Sequence, residues 1–211
     1  MDEVGRTVVR YDYDMLSNQL YSASMDAGER WMLNDIAGNP IRAWDSRGHA
    51  FRTEYDPLRR PVRKFVIGED PARSDSRVLA KEVMFEKIEY GEGQAEDAAL
   101  NLRTHAWKTH DCAGILTTEA FDFKGNPLRG TRRLARDYKG VPDWSAAVPL
   151  EDEAYLSSTT FDALNRPETA TSPDGSVIRR EYNEANLLVR VDANLRGESQ
   201  DGQPFWTPFV A

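Results

Sequence analysis

Three residues that lie close together in the sequence, His105, His110 and Cys112, have side chains capable of chemistry. Imidazole nitrogens and a thiolate bind Zn²⁺, but this spacing matches no zinc-binding pattern, and no fourth ligand is evident. A cysteine nucleophile assisted by His110 is also disfavoured, because two residues separated by one position on a turn need not point together. We therefore predict no metal, no cofactor and no catalytic residue, so the chain is not expected to be an enzyme.

Other common kinds of site find equally little support. Gly91-Glu92-Gly93 lacks the rest of a dinucleotide-binding pattern, and no spacing of acidic residues singles out a general acid and base. The net charge of −8 disfavours binding to nucleic acid. We interpret one basic cluster as a solvated strand face; its members are Arg129, Arg132, Arg133 and Arg136.

The composition also bears on the compartment. No segment approaches the ~20 apolar residues that span a bilayer. The first residues lack the basic and apolar regions of a signal peptide, so secretion is expected to use another route or a longer chain. The single Cys112 excludes an internal disulfide framework.

A short box recurs along the chain, and we refer to it as the YD box. An aromatic residue or Asn leads the box, and an acidic or amide residue follows it. The boxes begin at Tyr13-Asp14, Asn34-Asp35, Tyr55-Asp56, Phe121-Asp122, Phe161-Asp162 and Tyr182-Asn183. Three of the five intervals between them are 21 residues. A weaker seventh box is His110-Asp111-Cys112-Ala113-Gly114.

The positions of the box predict a turn. The Asp or Asn side chain accepts a backbone hydrogen bond and starts the turn. Three residues later comes a turn former such as Gly38 or Asn165, with Arg59 as an exception. Proline follows two residues after that in four boxes, and it suits the first residue of a strand. The structural repeat positions are Tyr13, Asp14, Asp35, Gly38, Pro40, Tyr55, Asp56, Pro61, Asp111, Gly114, Phe121, Asp122, Gly125, Pro127, Phe161, Asp162, Pro167, Tyr182 and Asn183.

Each 21-residue period is predicted to form one β-hairpin. A second turn lies between boxes, for example at Pro173-Asp174-Gly175, and two turns leave two strands of roughly six or seven residues. Isolated hairpins are marginal in water, so neighbouring hairpins should pair into a continuous sheet. We expect a mainly β fold of tandem antiparallel hairpins in a curved sheet. The leading aromatics should stack into a ladder that serves packing, with an aromatic sugar-binding strip as the alternative.

The chain is predicted to have four regions. YD-repeat hairpins occupy 1–67, and an insertion at 68–109 contains a loop at 68–80, a strand at 81–91 and a short helix at 94–104. YD-repeat hairpins return at 110–197, with a surface excursion at 137–158, and an irregular tail occupies 198–211.

Neither end supplies a clear cap, and Val8–Tyr11 has the pattern of a second hairpin strand. We therefore expect a fragment of a longer array or a chain that pairs with another.

The boxes resemble the YD, or RHS, repeats of large bacterial proteins, and the likeness spans most of residues 10–197. It is closest to the B and C components of Tc insecticidal toxin complexes and related RHS toxins. The segment 94–103 followed by the box at His110 carries it. The strongest matches are Phe121–Arg129, Asp143-Trp144 and Thr159–Pro167, and the likeness continues from Tyr182–Leu188 through Asn194–Gly197.

The resemblance implies a shell that encloses a toxic C-terminal polypeptide until delivery. The family's self-cleaving core carries an Arg-, Gly- and Asp-Pro-rich motif that we do not find here, and its variable toxic domain is not found either. The resemblance thus implies a non-catalytic structural segment of a secreted or cell-surface toxin shell. Its partners would be the remainder of the shell and the enclosed polypeptide. The alternative is a cell-surface adhesion or carbohydrate-binding YD-repeat module.

Overall fold

The structure is a computed structural model that describes residues 8–68 and 79–210. Seventeen strands are found in this part of the chain. They are β1 (Val9–Tyr13), β2 (Gln19–Ser24), β3 (Gly28–Asn34), β4 (Pro40–Asp45), β5 (His49–Tyr55), β6 (Pro61–Gly68), β7 (Leu79–Tyr90), β8 (Ala106–Asp111), β9 (Gly114–Phe121), β10 (Pro127–Leu134), β11 (Tyr155–Phe161), β12 (Pro167–Thr171), β13 (Val177–Tyr182), β14 (Leu188–Asn194), β15 (Ser199–Gln200), β16 (Gln203–Pro204) and β17 (Thr207–Val210).

Fifteen of these strands form one sheet in which the order of the strands follows the chain, with β17 beside β14. Every pairing with a defined register is antiparallel, as tandem hairpins require. The two short strands β15 and β16 pair only with each other. The predicted mainly β fold of antiparallel hairpins is confirmed.

The YD boxes lie where strands end and begin. The residue that leads each box is the last residue of its strand, as in Tyr55 of β5 and Phe161 of β11. Proline is the first residue of the next strand, where the missing N–H costs no hydrogen bond inside the sheet. This arrangement holds at Pro40, Pro61, Pro127 and Pro167.

The chain divides into two compact units. The first comprises Met1–Ile88, His110–Ala113 and Ala135–Pro149. Its buried apolar residues are Phe65, Val66, Met84 and Ala135. The Arg52 guanidinium lies 3.8 Å from the centroid of the Phe65 ring, so a charged side chain covers the apolar one. Few side chains are fully buried, as suits a sheet with a thin apolar layer.

The second unit comprises Glu89–Thr109, Gly114–Leu134 and Leu150–Ala211. Its most buried residues are Leu102, at 2 % exposure, and Asp192, at 1 %. Leu102 lies under Gly91, where an added Cβ would come within 2.3 Å of the Leu102 carbonyl oxygen. Only glycine fits so close an approach of two backbone segments. Asp192 is paired with Arg179 and Arg190, so its buried charge is compensated.

The predicted helix at 94–104 is wrong, and no helix occurs in the described residues. This stretch forms successive turns instead, such as those closed by Gln94 N–H to Gly91 O and Leu102 N–H to Asp97 O. Glu96 and Asn101 have φ of 58° and 51°, which a right-handed helix does not permit. The apolar residues at helical spacing in this stretch therefore lie in successive turns and not on one face of a helix.

Two other boundary predictions change. The tail at 198–211 is not wholly irregular, because β17 pairs with β14 through Ala193 and Thr207. The last four residues of the predicted excursion at 137–158 belong to β11. The predicted strand at 81–91 corresponds to β7, while the loop predicted at 68–80 falls mostly at 69–78, outside the described residues.

Nothing helical in the described residues has the length and apolar character needed to cross a bilayer.

Candidate functional site

The carboxylate of the box aspartate closes the turn that follows it. Asp35 Oδ1 accepts hydrogen bonds from Ala37 N–H at 2.8 Å and Asn39 N–H at 2.9 Å. The main chain closes the same turn twice, since Asp35 N–H donates to Asn39 O and Gly38 N–H donates to Asp35 O. The same two main-chain bonds occur in the other boxes, whose second residues are Asp14, Asp56, Asp122, Asp162 and Asn183. Six boxes thus share one turn geometry.

The third residue after the box aspartate or asparagine has a positive φ in every box. Glycine adopts this conformation at little cost, as at Gly38 with φ of 84° and Gly125 with φ of 87°. Asn165 and Asn186 also tolerate it. Arg59, the exception in the sequence pattern, has φ of 61° and takes the same conformation. The turn geometry therefore prevails over the preference of the residue at this position.

The fourth residue after the box aspartate binds the second carboxylate oxygen, a feature that the sequence analysis missed. Asn126 Nδ2 donates to Asp122 Oδ2 at 2.8 Å, and Arg166 Nε donates to Asp162 Oδ2 at 2.5 Å. The residues in this role are Asn18, Asn39, Arg60, Asn126 and Arg166. The recurrence of Asn or Arg at a fixed spacing is the signal that would have identified it.

These hydrogen bonds favour the ionised carboxylates. The Asn126 side-chain amide makes the largest contribution to lowering the pKa of Asp122. The backbone N–H of Asn39 does the same for the pKa of Asp35, and the backbone N–H of Arg166 does so for that of Asp162. A carboxylate that accepts several donors is stabilised in its charged form. At neutral pH these groups are hydrogen-bond acceptors and poor proton donors.

Two of the three tyrosines that lead boxes bond to the preceding hairpin. The Tyr55 hydroxyl donates to Pro40 O at 2.8 Å, and the Tyr182 hydroxyl donates to Pro167 O at 3.2 Å. Each tyrosine lies 15 residues after its proline. The carbonyl belongs to the first residue of a strand in the previous repeat, so the hydroxyl links one hairpin to the next.

Neighbouring turns are also joined directly within each unit. In the first unit, Arg59 Nη1 donates to Asp35 Oδ2 at 3.3 Å. In the second unit, Asn126 Nδ2 donates to Asn165 Oδ1 and Arg166 Nη1 donates to Asn186 Oδ1, both at 3.0 Å. The Lys124 ammonium also donates to Ala163 O. Residues at the turns thus form a lateral series of polar contacts from hairpin to hairpin.

Turns at the opposite hairpin ends partly reuse this geometry. Asp45 Oδ1 accepts from Arg47 N–H at 3.0 Å and His49 N–H at 2.9 Å, and Asp45 Oδ2 lies 3.2 Å from His49 Nδ1. In the weaker box, Asp111 Oδ1 accepts from Ala113 N–H at 2.8 Å. Gly114 follows as the first residue of β9, with φ of 140°.

The predicted ladder of stacked leading aromatics does not form in the described part of the chain, because no ring contact joins one leading aromatic to another. Ring contacts join other residues instead, such as Tyr21 with Trp31 at 5.6 Å and Phe51 with Phe85 at 6.4 Å between centroids. The leading residues lie at strand ends beside the turns, where the hydroxyls of Tyr55 and Tyr182 make the contacts between hairpins. Tyr21 with Trp31 is a tilted pair and Phe51 with Phe85 is an edge-on pair.

The three residues considered first for chemistry have other surroundings. His105 stacks on Phe121 with 4.4 Å between ring centroids. His110 is buried, and its ring lies edge-on to Trp144 at 4.8 Å. Cys112 is exposed on a turn. No group of three or more His, Cys, Asp or Glu that could hold a metal occurs within residues 8–68 and 79–210.

Three arginines of the predicted basic cluster, Arg129, Arg132 and Arg133, lie on β10, whereas Arg136 follows the end of that strand. Arg129 Nε contacts Glu119 Oε2 at 2.6 Å, and about half of the arginine side chain is exposed. Arg133 Nη2 donates to Glu151 O at 2.9 Å. Both arginines therefore have partners within the second unit.

The Asp143-Trp144 pair attaches the excursion to the sheet in the first unit. Trp144 N–H donates to Met84 O at 2.8 Å, and Met84 N–H donates to Asp143 Oδ1 at 3.2 Å. Trp144 Nε1 donates to Asp111 O at 3.1 Å. Two adjacent residues thus satisfy backbone groups of β7 and β8 that would otherwise need another partner.

Tandem antiparallel hairpins that repeat one turn and link it laterally define a hairpin-repeat architecture. Comparison with known proteins then gives particular relatives. Toxin subunit YenC2 of Yersinia entomophaga is 25% identical over 91% of this chain, and toxin subunit YenC1 of the same organism is 24% identical over 84%. The chain covers only 22% and 18% of these two relatives. No protein-family model matches the chain.

Solved structures agree in fold. TcdB2-TccC3 without its hypervariable C-terminal region matches 95% of this chain with a TM-score of 0.75 and 23% identity. A Tc holotoxin pore of Photorhabdus luminescens matches 91% with a TM-score of 0.75 and 23% identity. In each case the match covers 9% of the larger chain. The resemblance to RHS-type components of Tc toxins is confirmed, and the chain corresponds to a limited stretch of such proteins.

Proposed function

We propose that this chain is a non-catalytic structural segment of the β-shell of a large RHS/Tc-type bacterial toxin, and that the shell encloses a toxic polypeptide. The observation that carries the proposal is the match of nearly the whole chain to TcdB2-TccC3 with a TM-score of 0.75. A shell wall needs a sheet that can be extended by repetition. The tandem hairpins supply such a sheet without interruption in strand order.

The chemistry of the boxes supports a structural role. The box carboxylates are occupied by backbone N–H groups and by the side chain of the fourth residue after them, as in Asp122 with Lys124 and Asn126. A general acid needs a raised pKa and a reachable substrate proton. These carboxyls have lowered pKa values, which suits permanent hydrogen-bond acceptors.

The partners follow from the proposed role. The remainder of the shell would continue the sheet, either in the same longer chain or in a partner toxin component. The enclosed polypeptide would meet one face of the sheet. The location would be outside the producing bacterium or at its surface, as part of the toxin. Nucleic acid is not expected as a partner, since the net charge is −8.

Protease protection of the enclosed polypeptide tests the shell role. The gene product that carries this segment is expressed with its toxin partner, and the payload is followed by mass spectrometry during proteolysis. A double variant, Asp35→Ala and Asp162→Ala, removes two box aspartates and should make the sheet easier for the protease to cut. We expect the wild-type payload to resist digestion and the variant payload to be lost faster, while Asp26→Ala leaves protection unchanged. Equal digestion of the payload in the presence and absence of an intact shell would refute the proposal.

A carbohydrate-binding role has one observation in its favour. Trp31 and Trp44 are opposite each other on β3 and β4, are 39% and 41% exposed, and adjoin Tyr21 on β2. Exposed aromatic rings can stack on sugar rings. Glycan-array binding by the chain, lost in Trp31→Ala with Trp44→Ala and retained in Tyr138→Ala, would establish this function. Absence of binding to any glycan would remove it.

A further inference from the structure

One connection in the second unit is built differently from the YD boxes. The six box turns are each closed by two main-chain hydrogen bonds around the box aspartate or asparagine. Strand β14 is followed instead by residues 195–206, which include β15 and β16, before the chain returns as β17. We call residues 195–210 the strap. Its attachment to β13 and β14 is concentrated in a few side chains.

Asn194, the last residue of β14, closes the base of the strap with its side-chain amide. It is buried, at 5% exposure, and its Nδ2 donates to Glu198 O at 2.6 Å and to Phe205 O at 2.7 Å. These two carbonyls lie at either end of the small β15–β16 hairpin, where Phe205 N–H also donates to Glu198 O. Both N–H groups of one amide are therefore used to hold the strap against β14.

A second attachment joins the strap to β13. The Arg179 guanidinium lies 4.5 Å from the centroid of the Trp206 ring, within the range of a cation–π contact. Asp192 Oδ2 lies 3.1 Å from Arg179 Nη2, so a buried carboxylate on β14 fixes the guanidinium. Arg179 Nε is buried without a hydrogen-bond partner among the residues that the structure describes. A buried donor without a partner costs free energy, and detachment of Trp206 would admit water to this guanidinium.

The main-chain pairing of the strap is short. β17 pairs with β14 at three positions, with a shift of register between Val191 and Asp192. β13, on the other side of β14, pairs with it at six positions. Pro208 lies opposite Asp192 and has no N–H to donate to the sheet. The main chain alone therefore holds β17 less firmly than it holds β13.

The first turn of the strap can serve as a pivot. Arg196 and Gly197 have φ of 50° and 72°, so the chain reverses direction over two residues. Arg196 N–H donates to Ser176 Oγ at 3.0 Å, which anchors this turn to the residue before β13. The anchor involves neither of the two attachments described above. It can therefore persist when both of them break.

We propose that the strap detaches from β14 as one unit about this pivot, and that Asn194 is the clasp that sets how often it does so. Opening breaks the Asn194 hydrogen bonds, the contact between Arg179 and Trp206 and the short pairing of β17 together, because each joins the strap to β13 or β14. The hairpins of the YD boxes keep their own turns. The second unit thus contains a conformational device that frees main-chain groups of β14 without unfolding the repeats. This inference does not depend on the proposed shell role.

Hydrogen exchange of the full chain, followed by mass spectrometry, tests the proposal. Amides of β17 should exchange faster than those of β13, and low urea should accelerate exchange in β13 much more than in β17, because a local opening exposes little surface. Asn194→Asp keeps the size of the side chain but loses both donors. It should raise the exchange rate of β17 at least about tenfold, while that of β13 stays within about twofold of the wild-type value.

Glu198→Ala is the matched control, because Glu198 contributes its carbonyl to the clasp, and this variant should exchange like the wild-type chain. Two results overturn the proposal. One is wild-type exchange of β17 with the same rate and urea dependence as β13, which would make the strap inseparable from the sheet. The other is an Asn194→Asp variant in which β17 exchange is unchanged or β13 exchange rises equally, as it also would if the variant failed to fold.

Discussion

At the scale of single residues, the box aspartate combines two functions of one carboxylate. One oxygen accepts backbone N–H groups and fixes the turn, while the other oxygen holds the side chain four residues later, as in Asp162 with Leu164 and Arg166. The first function needs only an acceptor, which asparagine also supplies. Asn183 does so with Leu187 N–H at 2.9 Å. This explains why both residue types occur at the same box position.

Replacement of Asp162 should separate the two functions. Asp162→Ala loses both oxygens and should lower the thermal midpoint by a few degrees. Asp162→Asn keeps the acceptor for the turn and loses only the ion pair with Arg166, so we expect a smaller decrease. Differential scanning calorimetry measures both, with Asp26→Ala as the control because its carboxylate accepts no hydrogen bond in the described chain. Equal losses in both Asp162 variants would contradict this assignment.

The same carboxylates should make stability depend on acid. Hydrogen bonds lower the pKa of Asp14, Asp35, Asp122 and Asp162 in the folded chain. A lowered folded-state pKa gives stability that is present above the unfolded value, about 3.9 for Asp, and is lost as pH falls through the folded value. Thermal midpoints should therefore fall as pH is lowered below about 4. The combined Asp14→Asn, Asp35→Asn, Asp122→Asn and Asp162→Asn variant should show a shallower fall, and an unchanged slope would be evidence against these groups.

At the scale of elements, hairpins could be located from the sequence because turn chemistry is local. The aspartate, the positive-φ residue and the proline each act within a few residues, so their spacing marks strand ends directly. Contacts between hairpins could not be located in this way. The Tyr55 hydroxyl donates to Pro40 O across a strand pair. Whether Tyr55 forms this hydrogen bond or stacks on another aromatic ring depends on the strand register, which the sequence alone does not give.

Removal of the tyrosine hydroxyl should weaken the link between hairpins. Tyr55→Phe leaves Pro40 O without this donor and should cost about 1 kcal/mol of unfolding free energy. Phenylalanine already leads the boxes at Phe121 and Phe161, so the ring itself is compatible with the position. The free energies of unfolding of Tyr55→Phe and of the control Tyr138→Phe, whose side chain is exposed, are measured in urea. If Tyr55→Phe loses no more unfolding free energy than the control, the hydroxyl is not a stabilising contact.

The excursion depends on a different element contact. Trp144→Phe keeps an aromatic ring against His110 but loses the indole N–H that binds Asp111 O. We expect a loss of about 1–2 kcal/mol, since a polar contact near a buried residue is removed. Trp44→Phe, on an exposed strand face, is the control and should be nearly neutral. The free energy of unfolding is measured in urea, and equal losses in Trp144→Phe and Trp44→Phe would contradict this assignment.

At the scale of the whole molecule, repetition made the fold class predictable and the insertion unpredictable. The 21-residue period gave the hairpins, whereas residues 94–104 form a segment that occurs once and has no second example against which to compare it. Ala95, Ala98, Ala99 and Leu102 matched a helix by spacing, yet Glu96 and Asn101 break any helix there. The unique segment is folded by its packing, as Leu102 beneath Gly91 shows.

Far-ultraviolet circular dichroism should report this composition directly. The chain should give a β-type spectrum without the double minimum of α-helix, because its described residues are strands and turns. Replacing Glu96 or Asn101 with glycine should leave the spectrum unchanged, since both positions already have positive φ. A spectrum with more helix than strand would contradict the fold.

The fixed offset between Tyr55 or Tyr182 and the proline carbonyl that each reaches has a consequence for how such genes change length. Tyr55 and Tyr182 each contact the carbonyl 15 residues earlier, so the donor and the acceptor belong to adjacent copies of the same coding unit. Duplication or loss of one whole 21-residue unit re-creates every such pair at the junction, while a change of any other length removes one. We therefore expect uninterrupted runs of such boxes to change length in steps of one complete hairpin.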